Sequence, residues 1–78
     1  MYSYEEFIED LNLGHEVEFD LNDFHFLISY NEDGWYCVKQ NEEVQLRYNS
    51  VEQLISKSKI EGKTIKELWN HIIVTSIF

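Results

Sequence analysis

Residues 24–40, FHFLISYNEDGWYCVKQ, carry two apolar runs separated by Asn31-Glu32-Asp33-Gly34, and the way this segment pairs with itself decides the fold. Asn opens a turn, Asp tolerates the bridge region and Gly supplies a positive φ, which is the pattern of a type I turn followed by a G1 bulge. With Glu32, Asp33 and Gly34 as the loop, Asn31 faces Trp35, Tyr30 faces Tyr36, Ser29 faces Cys37 and Ile28 faces Val38. Side chains alternate along a strand. This register therefore predicts a core face of Phe24, Phe26, Ile28, Tyr30, Tyr36 and Val38, and an outer face of His25, Leu27, Ser29, Trp35, Cys37 and Lys39.

Upstream, residues 15–21 also alternate, with Val17, Phe19 and Leu21 inward and Glu16, Glu18 and Asp20 outward. A two-residue Asn22-Asp23 turn sets Leu21 against Phe24, Phe19 against Phe26 and Val17 against Ile28, so both strands turn their apolar sets to one face. Before this strand, Ser3 and Glu6 form a capping box and Tyr2 with Phe7 a hydrophobic staple. Tyr4, Phe7, Ile8 and Leu11 then recur at helical spacing, and Gly14 is placed to end the helix.

Downstream, Val44 to Asn49 reads as a fourth strand, with Val38 against Leu46 and Tyr36 against Tyr48. Capping signatures at Ser50/Gln53 and Thr64/Glu67 start two short helices, the first carrying Val51, Leu54 and Ile55, the second Ile65, Leu68 and Trp69. In Ile72 to Phe78 the helical spacing continues, yet the β-branched run Ile72-Ile73-Val74-Thr75 favours a strand. The expectation is α+β: a single domain over residues 1–78 with an N-terminal helix, a four-stranded antiparallel meander, two short C-terminal helices and a final strand. Such a strand would be apolar on both faces, so it needs cover from this domain or from a partner.

The chain has 78 residues, and at that size folding hides only about 60% of the surface that the unfolded chain exposes. Aromatic residues, 15% of the total, bury much area each and help such a small core. One cysteine cannot form an internal disulfide. No apolar run reaches the roughly 18 residues of a membrane span, and glutamates stand where a secretory signal needs bases, so a cytoplasmic protein without membrane contact is expected. Charge is polarised: residues 1–43 hold 12 acids and one base, residues 44–78 three acids and five bases, for a net −9. Such a field repels phosphates and draws a basic partner, which argues against direct nucleic acid binding. Acidic surfaces also serve solubility alone.

Catalytic chemistry finds little footing. Cys37 and His25 fall on one sheet face in this register, but four residues apart along the strand, or about 13 Å, beyond hydrogen-bond reach. His25 lies opposite Asp20 instead, the ordinary position of a satisfied surface histidine. His15, His25 and His71 lack metal-ligand spacing, and Asn31, Glu32 and Asp33 are explained by turn chemistry, so no metal site and no cofactor is expected. Glu16, Glu18 and Asp20 stand in a row on an open strand, without the cleft that paired catalytic carboxylates need. Trp35 is an apolar side chain on a charged outer face, which suits an interface anchor, and packing under a loop or the last strand is the competing reading.

YNEDGWY at 30–36 and IEGKTIKELW at 60–69 resemble small uncharacterised α+β proteins of Gram-positive bacteria and their phages or mobile elements. The resemblance implies no activity and no functional residues, but in such settings inhibitors, immunity proteins and antitoxins are common, and some inhibitors mimic DNA with concentrated negative charge. The expected function is a non-enzymatic, acidic protein-binding module of inhibitor or immunity type. Glu5, Glu9, Glu16, Glu18 and Asp20 would supply charge to a basic face of a protein partner, with Trp35 as anchor. The alternative is a structural accessory protein that forms a homodimer through Ile72 to Phe78.

Overall fold

In the computed structural model, which describes residues 1–78, the first helix begins where its capping box puts it. The Ser3 hydroxyl accepts from the Glu6 N–H at 3.1 Å and the Glu6 carboxylate accepts from the Ser3 N–H at 3.3 Å, starting α1 (Tyr4–Asn12). Phe7 and Leu11, one helical turn apart, are fully buried beneath it. Gly14, at φ +93°, leads into β1 (Val17–Leu21).

β1 pairs antiparallel with β2 (Phe24–Asn31) in the expected register: Val17 with Ile28, Phe19 with Phe26, Leu21 with Phe24. Asn22 takes the left-handed conformation that this tight turn demands, at φ +57°. The second hairpin departs from expectation by one residue. β3 (Gly34–Lys39) faces β2 with Asn31 opposite Gly34, Tyr30 opposite Trp35, Ser29 opposite Tyr36 and Ile28 opposite Cys37. No bulge intervenes, and a one-residue slip turns every side chain of the strand over. Trp35 and Cys37 therefore join the core side, while Tyr36 and Val38 face outward. The physical reason is tertiary: Gly34 sits at φ +123°, and a Cβ there would lie 2.5 Å from the Tyr48 carbonyl oxygen. That glycine admits another segment's backbone rather than a bulge.

Tyr48 is also where the expected fourth strand reduces to a single bridge. Its N–H and C=O bond Trp35 at 2.9 and 2.8 Å, and Val44 to Asn49 otherwise forms no strand, with Leu46 67% exposed. The sheet has four antiparallel strands, but its fourth member is the C-terminal one. The order is β3-β2-β1-β6, with β6 (Ile72–Ile77) paired to β1 through Leu21–Ile72, Phe19–Val74 and Val17–Ile77. A bulge at Thr75 separates the last two of these contacts. Consecutive strands usually neighbour each other, which is why the meander was the natural expectation.

Between these strands run α2 (Val51–Lys57), a small hairpin of β4 (Lys59–Ile60) and β5 (Lys63–Thr64), α3 (Ile65–Leu68) and a 3₁₀ turn at Trp69–His71. Glu61 and Gly62 both have positive φ, +53° and +81°, as a two-residue type I′ hairpin turn requires. All three helices lie on one face of the sheet, where Phe7, Leu11, Leu54 and Ile65 pack with Val17, Phe19 and Ile28, all fully buried. Phe19 stacks on Phe26 at 5.2 Å, and Trp69 closes the cluster against Phe7 at 4.9 Å. No helix is long and apolar enough to cross a membrane.

Candidate functional site on the open sheet face

With the helices on one face, the other is left without a helix over it, and the β1–β2–β3 register determines what it displays. β1 turns out Glu18 and Asp20, with Glu16 just ahead of the strand; β2 turns out His25, Leu27 and Ser29; β3 turns out Tyr36 and Val38. From β6 come Ile73, 67% exposed, and Ser76. The result is an apolar centre of Leu27, Tyr36 and Val38 beside a row of carboxylates.

Those carboxylates are not bare. Asp20 stands directly across from His25, and the ring Nδ1 lies 2.6 Å from its Oδ1. Glu18, the diagonal neighbour, reaches Nε2 at 3.3 Å. Hydrogen bonds from the protonated ring to Asp20 and then Glu18 raise the His25 pKa above its ordinary value, because both ring nitrogens can donate only when the ring is charged. Glu16 accepts a hydrogen bond from the hydroxyl of Ser29, which is only 3% exposed. Ser29 is thus a buried polar group satisfied at the surface by a carboxylate, as the cost of burying a hydroxyl requires. On the far side of the face the Arg47 guanidinium lies 5.7 Å from the Tyr36 ring centroid, within cation–π range.

The acidic residues named from sequence divide into two groups. Glu16, Glu18 and Asp20 belong to the open sheet face; Glu5 and Glu9 are exposed on α1, whose apolar side is pressed onto the opposite face. Helix and strand therefore do not share a single acidic surface. Trp35, expected as an outward anchor, is half-buried on the core side, 4.5 Å from the Tyr30 ring and held by the Tyr48 backbone. The apolar members of the open face are instead Leu27, Tyr36 and Val38, with Ile73 at its β6 edge. Tyr36 and Val38 could have been recognised only from the correct turn register.

Cys37 and His25 lie on opposite faces of the sheet, since Cys37 is paired with core-facing Ile28. Burial pushes the Cys37 thiol up to about 12, so it stays protonated at neutral pH. No group of three or more His, Cys, Asp or Glu side chains is arranged to hold a metal ion. A concavity of about 570 Å³ between α1 and α2 is lined by Tyr4, Ile8, Val51 and Ile55, with Glu52 and Lys66 also in its wall but not ion-paired with each other. The chain matches no family model, no curated protein and no solved structure.

Proposed function

We propose that this protein is a non-enzymatic, acidic protein-binding module of inhibitor or immunity type, which presents its open sheet face to a basic surface of a partner protein. One observation carries the reading: three carboxylates, Glu16, Glu18 and Asp20, border an apolar patch of Leu27, Tyr36 and Val38 on a face that no helix covers. Apolar side chains supply contact area, and the acidic border steers and orients a basic partner. Glu5 and Glu9, on the other side of the molecule, add to the long-range field and not to the contact. Trp35 has no part in it.

A lysine- and arginine-rich peptide serves as the probe. In an NMR titration the largest shifts should fall on Leu27, Tyr36, Val38 and their neighbours, and weaken as salt is added. Replacing Glu18 by Gln together with Asp20 by Asn should lower affinity about tenfold, whereas the equally charged pair Glu5→Gln and Glu9→Gln should change it little. Equal losses from both pairs, or shifts spread evenly over the surface, would mean that net charge alone attracts the peptide and would remove the face from consideration.

A further inference from the structure

The two edges of the sheet are unlike. The β3 edge is met by Tyr48 and flanked by Lys39 and Arg47, whereas β6 offers its outer edge to solvent. Residues 68–78 contain no Asp, Glu, Lys or Arg, in a chain of net charge −9. Ile73 and Ile77 are 67% and 44% exposed beside this edge. Natural sheet edges are normally guarded by charge or proline, and this one has only the Thr75 bulge.

We infer that β6 is the seam of a homodimer, in which two copies pair antiparallel, edge to edge, about a two-fold axis. The bulge itself supports a self-complementary register. By their partners on β1, Ile72 and Val74 face the core side, Ile73 and Ser76 the open side, and Ile77 the core side again, with Thr75 in the bulge. Read in either direction, the faces run core, open, then core and bulge, then open, core. Ile72 can therefore oppose Ile77 of a second copy, and Ile73 oppose Ser76, with each pair on one face, as direct antiparallel neighbours must be. Without the bulge these pairs would fall on opposite faces.

Shape agrees with that register. Beside Ile72 lies a hollow of about 440 Å³ lined by Tyr2, Trp69, Ile72 and Val74, and Ile77 of the second copy projects toward it. The same contact recurs across the axis, giving the isologous interface of a two-fold dimer. Charge selects the occupant: a seam without acidic or basic side chains gives a basic partner nothing to pair with, while two copies of this acidic molecule can meet on it without opposing carboxylates. The two open faces then lie on the same side of one eight-stranded sheet.

Sedimentation velocity of the full chain from about 1 to 100 µM tests this, because a short strand seam corresponds to a Kd of the micromolar order. The expected result is a monomer–dimer equilibrium that tightens as salt rises, since screening relieves repulsion between two acidic copies. This is opposite in sign to the salt dependence of peptide binding, so the two readings fail separately. Ile73→Lys and Ile77→Lys, at exposed positions, should each weaken the dimer at least tenfold while circular dichroism stays unchanged. Amide exchange provides a readout without substitution: β6 should gain protection with concentration. A monomer at 100 µM, or a dimer indifferent to both lysines and to salt, overturns the inference.

Discussion

The two faces of this sheet are built from the same strands by different physics. On the covered face, Phe19, Phe26 and Ile28 pack under three helices and are stabilised by removal from water. On the open face, Ser29 apart, side chains are only partly buried, and the polar groups are paired: His25 with Asp20 and Glu18, Ser29 with Glu16. The difference shows how a 78-residue chain with net charge −9 can place its apolar packing in one layer and its paired polar and charged groups on the other. A module of this size has little stability to lose, about 4–12 kcal/mol by the usual per-residue range.

The largest effect should come from breaking the covered face. Phe19→Ala removes a fully buried ring stacked on Phe26 and should cost about 3–5 kcal/mol, a large share of the stability, as urea denaturation will show. Leu27→Ala, on a neighbouring strand but facing outward, should cost under about 1 kcal/mol. Comparable losses would mean that the open face is packed like a core.

Next comes Gly34→Ala, which tests what sets the orientation of β3. A Cβ would collide with the Tyr48 carbonyl at 2.5 Å and would hold alanine at φ +123°, so a loss of about 2–4 kcal/mol is expected. Gly62→Ala, at φ +81° with open space around it, isolates the backbone penalty at about 1 kcal/mol. If the two variants prove equal in thermal denaturation, Tyr48 does not constrain the turn.

Ser29→Ala probes the polar side of the comparison. It deletes the hydroxyl that Glu16 accepts from, at a buried position, and should cost about 1–2 kcal/mol, more than alanine at exposed Thr75.

The smallest effect is electrostatic. Asp20 and Glu18 raise the His25 pKa above the ordinary 6.5, so the folded state holds this proton more tightly than the unfolded chain. The stabilisation is complete below about pH 6.5 and is lost as pH rises through the raised folded value. Thermal melts of the wild type and His25→Gln should accordingly differ most near pH 6 and converge on the alkaline side. A folded His25 pKa below 6.5 by NMR titration would contradict the paired geometry.

How much of this was legible depended on the range of each signal. The Asp20–His25 pair could be read because a two-residue Asn22-Asp23 turn leaves one register for the hairpin. The reach of Glu18 to the same ring and the Ser29–Glu16 bond required side-chain geometry. Trp35 was misplaced because the Asn31–Gly34 signature suits a bulge locally, while the glycine is demanded by Tyr48, distant in sequence. Val44 to Asn49 has the alternation of a strand, but only Tyr48 reaches the β3 edge.

By itself the sequence determined the α+β class, the three helix starts, the β1–β2 register and the strand character of Ile72 to Ile77, because capping, periodicity and tight turns act over a few neighbouring residues. Tertiary structure alone decided which strand completes the sheet, which way β3 faces and that the acids of α1 and β1 lie apart. Those outcomes rest on contacts between segments far apart in the chain, where one backbone passing over a glycine can turn a whole strand.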